Sequence, residues 1–421
     1  MKRRTLLLGG LAGAAGAGWL LRPSDQGGNH SEYFQALSQA LDIHGRARPT
    51  LVVDRELLRA NIATLKSHIK NRFAYRIVVK SLPSLPLVQE VMEHSGTDRL
   101  MLFHEPFLSQ VAQTIPGADV LMGKPQPVVA ARNFYGNFSG GDFDSTRQLR
   151  WLLDTPERLD EYEALASELN QPMLAVIELD VGLHRGGVQT DEQLLYMLGR
   201  MRDSQYLKFA GFMGYEPHIV KMPFGDPMTY RDQAVQAYQY YIDVAKQFLG
   251  DQWPADAVLN AAGSPTYQMY DEGDFPFNEL AVGSGLVKPT DFDLATLADH
   301  QPASYIATPV LKSLDTLQVP GLDLGPMISS WDPNKERTVY TYGGYWKAKP
   351  HSPPGLHHSF ISRPTNQDMF HGSSEVNLTP DDWVFLRPTQ SEFVFLQFGD
   401  IAVLENGQIT ENWPVFLEDP A

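Results

Sequence analysis

From Tyr75 to about Gly285 the chain repeats one pattern: a short apolar run, then a longer stretch in which apolar residues recur every three or four positions. Strands covered on both faces read as continuous apolar runs, and the helices that connect them read as amphipathic, so the alternation predicts βα units around a parallel sheet. The runs are "YRIVVK", "RLMLFH", "ADVLMG", "RQLRWLLD", "MLAVIELD", "FAGFMGYE", "AVLNAAGS" and "ELAVGSG". They number about eight, which closes a (β/α)8 barrel of the TIM type. Between them lie segments such as "DTPERLDEYEALASEL", residues 154–169, a predicted helix. Asp154 or Thr155 caps it, Pro156 takes the first helical position, and Leu159, Tyr162, Leu165 and Leu169 fall at helical spacing. Beyond roughly Ala303 the pattern changes. "SYIATPVLKSL", "RTVYTYGGYWKA", "DDWVFLRPTQSEFVFLQFGDIAVL" and "QITENWPVF" are strand-like without helices between them, and Asn406-Gly407 is a hairpin turn signal. A C-terminal β domain therefore follows the barrel, while residues 323–335 and 351–364 read as loop.

Composition narrows the function. A chain of 421 residues with 43% hydrophobic residues can bury a sizeable core, and 34 Gly with 30 Pro point to many loops. The net charge of -16 argues against nucleic acid, whose phosphates it would repel. Without cysteine there is no disulfide, thiolate metal site or cysteine nucleophile. At the N-terminus Lys2, Arg3 and Arg4 precede a Leu/Gly/Ala run reaching Leu21, which is short and glycine-rich for a membrane span. It resembles a twin-arginine export signal, so the expected location is periplasmic or exported, with the export machinery as a partner. Cleavage after residues 15–17 and retention as an anchor are both open, as is an ordinary secretory signal. The expected division is an export signal over 1–28, a barrel over 48–300 and a β domain over 301–421.

In such a barrel the working residues project from the C-terminal ends of the strands. Lys80 ends the first run, where a plain reading is a lysine reaching for solvent. Its company changes that reading. Asp180, His184 and Arg185 follow one strand, Tyr215, Glu216 and His218 another, and two Gly-Ser loops, Gly263-Ser264 and Gly283-Ser284, follow the last pair. Glycine lets backbone approach an anion, and loops after the last two strands are where these barrels usually hold phosphate. An amine across the mouth from a phosphate cradle suggests pyridoxal phosphate, which needs a lysine for its aldehyde and anchors for its phosphate.

With these residues in view, the chain resembles the fold type III pyridoxal-phosphate enzymes, alanine racemase-like, and within them the D-threonine aldolase and D-serine dehydratase group. "RPTLVVDRELLRANI" is similar to that family's "TPALVVDLDALERNI", "IELDVGLHRGGV" to "EIDVGxxRxGV", "GFMGYEPH" to "GLMGYEGH" and "AAGSPTYQMY" to "SGGGSPTY". The resemblance covers most of 49–416 and keeps the family's order. It implies that Lys80 forms the Schiff base, that Arg185 and Tyr215 lie near ring and substrate, and that Gly263, Ser264, Gly283 and Ser284 hold the phosphate. It also implies that residues 49–54 pair with the β domain, and that the protein is a homodimer acting on a small amino acid.

The departures bear on chemistry. The group reads "RPHxKTHKxP" around its lysine, with histidines where this chain has Val78 and Leu82. Its C-terminal metal pair sits in "P-x-His-x-Cys" or "P-x-His-x-Asp", where this chain has Gln390 and Glu392. Those replacements lack the imidazole that suits zinc or manganese, so a divalent metal is in doubt and no metal ligand is assigned. His351 and the pair His357-His358 read as solvated loop residues, Asp291 and Asp293 as helix caps, and Tyr238, Tyr240 and Tyr241 with Phe248 as helix packing. His218 is open between a structural part and acid/base work, and is carried with Lys80 and Tyr215 as a catalytic candidate. The expected activity is a D-threonine aldolase-like lyase on small D-amino acids. Racemisation, a pyridoxal-phosphate binder without turnover and a periplasmic binding protein for small acids are the alternatives.

Overall fold

The computed structural model describes residues 22–138, 140–317, 321 and 324–418. Residues 1–21, which carry most of the expected export signal, lie outside them. Among the described residues no helix is long and apolar enough to cross a membrane. Among the described residues the chain divides into two compact units, one within residues 22–54, 304–389 and 400–412, the other within residues 55–303, 390–399 and 413–418.

The second unit is the barrel. Its strands are β2 (Ala74–Val78), β3 (Arg99–Leu102), β4 (Asp119–Met122), β5 (Leu149–Leu153), β6 (Met173–Leu179), β7 (Leu207–Gly214), β8 (Val258–Ala261) and β9 (Glu279–Val282), which close in that order. All eight adjacent pairs are parallel, including β9 with β2. Each of the eight apolar runs supplies one strand. Met101, Leu121, Leu152, Val176, Ala210, Met213, Val258 and Ala281 form one packed cluster, with a residue from every strand except β2, whose Val78 packs at its edge. The helix Pro156–Leu169 forms as its spacing predicts: the Thr155 hydroxyl accepts from the Arg158 N–H, Leu159, Tyr162 and Leu165 are buried, and Asn170 ends it in the left-handed conformation.

The start of the barrel strands is closed by charge. Arg76 is fully buried and donates to both carboxylate oxygens of Glu279, at 2.5 and 2.8 Å, and to Asp119 at 2.7 Å. Arg99 and Asn260 also donate to Glu279, and Arg150 to Asp119. Glu279, Asp119 and Arg99 are the first residues of their strands, so this network occupies the end of the barrel away from the strand C-termini.

The other unit carries a nine-stranded sheet. Its strands are β1 (Thr50–Asp54), β10 (Ser304–Leu314), β11 (Arg337–Thr341), β12 (Ala348–Ser352), β13 (His357–His358), β14 (Met369–Gly372), β15 (Trp383–Pro388), β16 (Ile401–Glu405) and β17 (Gln408–Trp413). β1 pairs antiparallel with β10 and parallel with β16, which puts residues 50–54 in this sheet. Asn406 and Gly407 have φ of 51° and 72°, the backbone a two-residue hairpin turn requires between β16 and β17. A helix over Glu32–Ile43 buries Phe34, Leu37 and Leu41 against Val52, Tyr305, Phe385 and Leu404. The loop expected over 323–335 instead holds a short helix, Gly325–Trp331, with Pro326 in its first turn. Only Gly325 in it is buried, so it leaves no amphipathic trace in the sequence.

Candidate active site

A strand of the barrel ends on an amine because the residues around it are anchored. After β2 the chain makes a single 3-10 turn, Val79–Ser81, in which Val79 and Ser81 are buried, as is Leu82. Lys80, between two anchors, is left half-buried at the strand's C-terminal end. Its Nζ donates to Glu392 Oε1 at 2.8 Å and lies 4.7 Å from the centre of the Phe103 ring.

The two Gly-Ser loops stand beside it and are tied together. The Ser264 hydroxyl accepts from the N–H of Gly285 at 2.9 Å and of Gly283 at 3.3 Å, and the Ser81 and Ser284 hydroxyls meet at 2.8 Å. A Cβ on Gly283 would stand 2.5 Å from the Val78 carbonyl oxygen, and one on Gly263 would stand 2.5 Å from Cε2 of Tyr215. Both contacts are closer than real Cβ atoms tolerate, so only glycine permits this approach. Beneath the first loop Glu216 is fully buried, accepting from the Thr266 and Tyr270 hydroxyls and the Ala262 N–H. Burial pushes its carboxyl up to about 7.

Arg185 reaches the site through a loop built on Asp180. That carboxylate accepts from the N–H groups of Gly182 and His184 and from the Gln189 amide, and pairs with the His184 ring at 2.8 Å. Burial opposes its charge, but these donors outweigh burial and hold the carboxyl below its usual value. The loop sets the Arg185 guanidinium 5.3 Å from the centre of the Tyr215 ring. Burial pushes the Tyr215 phenol up to about 12, so it keeps its proton at neutral pH.

Lys80, Arg185, Tyr215, Gly263, Ser264, Gly283 and Ser284 line one cavity of about 370 Å³. His218 is not among its lining residues. Its ring lies instead against Gly182, where an added Cβ would stand 3.1 Å from Nε2, and burial lowers its basicity. Five charged or polar residues that the sequence did not place there join the cavity: Ser81, Lys221, Asp291, Gln390 and Glu392. Asp291, read as a helix cap, lies instead inside the 3-10 turn Thr290–Phe292, whose N-cap is Pro289. Gln390 and Glu392, noted as replacements of a metal pair, line the cavity together.

The sequence of residues 53–291 matches the alanine racemase N-terminal domain, more than half of the chain. The chain belongs to this family, the fold type III pyridoxal-phosphate enzymes. Among solved structures, the D-threonine aldolase from Filomicrobium marinum is 13% identical with a TM-score of 0.67, covering 87% of this chain and 95% of its own. The D-threo-3-hydroxyaspartate dehydratase from Delftia sp. HT23 is 12% identical with a TM-score of 0.68, covering 88% and 97%. An alanine racemase from Bacillus anthracis with bound L-Ala-P is 16% identical with a TM-score of 0.65, covering 88% and 98%. At these identities the likeness carries the fold. No curated protein sequence matches the chain.

The cavity fits the alanine racemase family's cofactor. It offers a lysine amine for the aldehyde, two serine hydroxyls on glycine-bearing loops for the phosphate, and Arg185 stacked on Tyr215 at the side. Among the described residues no group of three or more His, Asp or Glu side chains is positioned to hold a metal ion.

Proposed function

We propose that the chain is a pyridoxal-phosphate-dependent lyase of the D-threonine aldolase type, breaking a bond at Cα of a small β-hydroxy D-amino acid. The observation that carries the reading is the gathering of Lys80 and both Gly-Ser loops around one cavity, with a carboxylate 2.8 Å from the amine. The cofactor, when bound, supplies an electron sink at the substrate's Cα. The protein's own groups do the rest. Lys80 binds the cofactor and, once released, holds or takes the proton at Cα through Nζ. Ser264 and Ser284 with their loops hold the phosphate, and Arg185 places positive charge beside the Tyr215 ring, suited to a substrate carboxylate. Racemisation is the second reading, because Lys80 and the Tyr215 phenol line the same cavity and could act as two acid/base groups. We also propose export, which rests on the N-terminal sequence alone, and a homodimer, which rests on family membership.

Product analysis with D-threonine and a D-amino acid panel tests the reading. Glycine and acetaldehyde in equal amounts are expected, with borohydride fixing the cofactor to Lys80 and Lys80→Ala abolishing both. An inverted enantiomer without aldehyde would replace the lyase by the racemase. No product from any member of the panel, with cofactor fixed to Lys80, would leave a binder without turnover.

A further inference from the structure

We propose that Glu392 is the general base of the cleavage: its carboxylate takes the β-hydroxyl proton and returns it to Lys80. This deepens the lyase reading and rests on it. Glu392 opens a short helical turn, Glu392–Phe395, anchored by buried Val394 and Phe395. Its Oε1 stands 2.8 Å from Lys80 Nζ, and the two side chains are 36% and 38% exposed, open enough for a substrate to reach them. Glu392, Lys80 and Phe103 also line a second cavity of about 170 Å³, walled by Pro83, Phe107, Phe393 and Leu396 together with His104 and Lys124. The carboxylate therefore lies between the place where Cα meets the lysine and a space, apolar on its Phe107, Phe393 and Leu396 side, that can take the substituent on Cβ. Asp291, the other carboxylate of the larger cavity, does not line the smaller one. Tyr215, with its phenol pushed up to about 12, carries its proton at neutral pH and suits the part of an acid.

The proton count closes around the pair. Lys80 begins as the ammonium, having taken the proton that the substrate's own ammonium brings in. The β-hydroxyl proton passes to Glu392, the Cβ–O bond becomes a carbonyl, and the Cα–Cβ bond breaks with its electron pair left on Cα. Lys80 then protonates Cα, giving glycine and an aldehyde. The proton on Glu392 crosses the 2.8 Å contact to the lysine amine, and both groups are restored. No oxidant, reductant or metal enters.

The test is Glu392→Gln, which keeps the shape and removes the base, with Glu392→Asp beside it. In the Gln variant, D-threonine cleavage should fall on the order of 100-fold or more, the usual worth of a positioned base. The Asp variant should recover part of it, and chelator should leave the wild type unaffected. Titration of the cofactor-free protein with pyridoxal phosphate should give the same affinity and the same borohydride label on Lys80. Exchange of the α-hydrogen of D-alanine for deuterium, which needs Lys80 but no β-hydroxyl base, should fall far less than cleavage does. Cleavage by Glu392→Gln at the wild-type rate overturns the proposal and leaves the lyase reading standing. So does loss of cofactor affinity together with loss of exchange, which would make Glu392 a positioning residue for Lys80, and so does inactivation of the wild type by chelator. A wild type that exchanges the α-hydrogen yet cleaves no β-hydroxy D-amino acid sinks the lyase reading itself.

Discussion

Replacing Glu279 by glutamine should destabilise the barrel by about 3 kcal/mol while leaving cofactor binding intact. Glu279 is fully buried and accepts from Arg76 twice, from Arg99 and from Asn260. Removing one partner of a buried ion pair costs about 3–5 kcal/mol, because the remaining charge is stranded. Asp119, 2.7 Å from Arg76, still answers part of that charge, which places the cost at the low end. At about 2 °C per kcal/mol for a domain of this size, Tm should fall by about 6 °C. The pH dependence gives a second check. Burial alone would raise the Glu279 carboxyl, but Arg76 and Arg99 outweigh it and hold the group below its ordinary value of 4.5. A depressed carboxyl contributes stability that is present above the unfolded pKa and lost as pH falls through the folded one. The gap between wild type and variant should therefore be full at pH 7 and close below about pH 4.5. Thermal denaturation by circular dichroism at pH 7 and in the acid, with a pyridoxal phosphate titration, measures all three. A Tm within 2 °C of wild type at pH 7, or a gap that persists in acid, would refute the account of the network.

Two further changes act at the other end of the strands. Glu216→Gln cannot ionise, whereas the wild-type carboxyl, raised from 4.5 to about 7, must lose its proton in a buried site as pH rises. The folded wild type binds more protons than the unfolded chain in that window, so its stability relative to the variant should drop by about 2.5 kcal/mol between pH 5 and 8. Urea denaturation at the two pH values reads this, and a constant difference would contradict it. Gly283→Ala puts a methyl group 2.5 Å from the Val78 carbonyl, and neither strand end can yield without moving the turn that carries Lys80. A loss of about 1–3 kcal/mol is expected, with weaker pyridoxal phosphate binding in an absorbance titration. Unchanged affinity would show that the close approach does not position the lysine.

What could be read in the sequence was what repeats locally. The barrel strands are unbroken apolar runs, and the residues that line the cavity from their ends follow those runs directly, as Lys80 follows "YRIVV" and Ser264 follows "LNAAG". Glu392 was legible only as a departure from a metal motif. Its partner lies 312 residues away, and no spacing rule links a residue after β15 to the end of β2. Asp291 looked like a cap because carboxylates before short helical stretches usually are. The Arg76 network was invisible for another reason: a charged residue within an apolar run looks like a solvated face, and only the closure of the barrel brings Glu279 and Asp119 to it. The helix Glu32–Ile43 falls between the expected export signal and the expected barrel, a stretch for which the sequence suggested no element, and yet it carries core residues.

The barrel thus separates its stabilising charges from its chemistry along the strands, and a double substitution on one strand can show it. Glu279 begins β9 and Gly283 immediately follows it, four residues on, or about 13 Å at the rise of an extended strand. The two share no hydrogen-bond partner: Glu279 bonds to Arg76, Arg99 and Asn260, whereas Gly283 donates to Ser264 and packs on Val78. Sites this far apart without common partners add within about 0.5 kcal/mol. The double variant Glu279→Gln/Gly283→Ala should therefore lose the sum of the two single costs in stability, while its pyridoxal phosphate affinity matches that of Gly283→Ala alone. A coupling above about 1 kcal/mol would mean that strain at the cofactor end is transmitted down β9, and that the two ends of the barrel are one cooperative element.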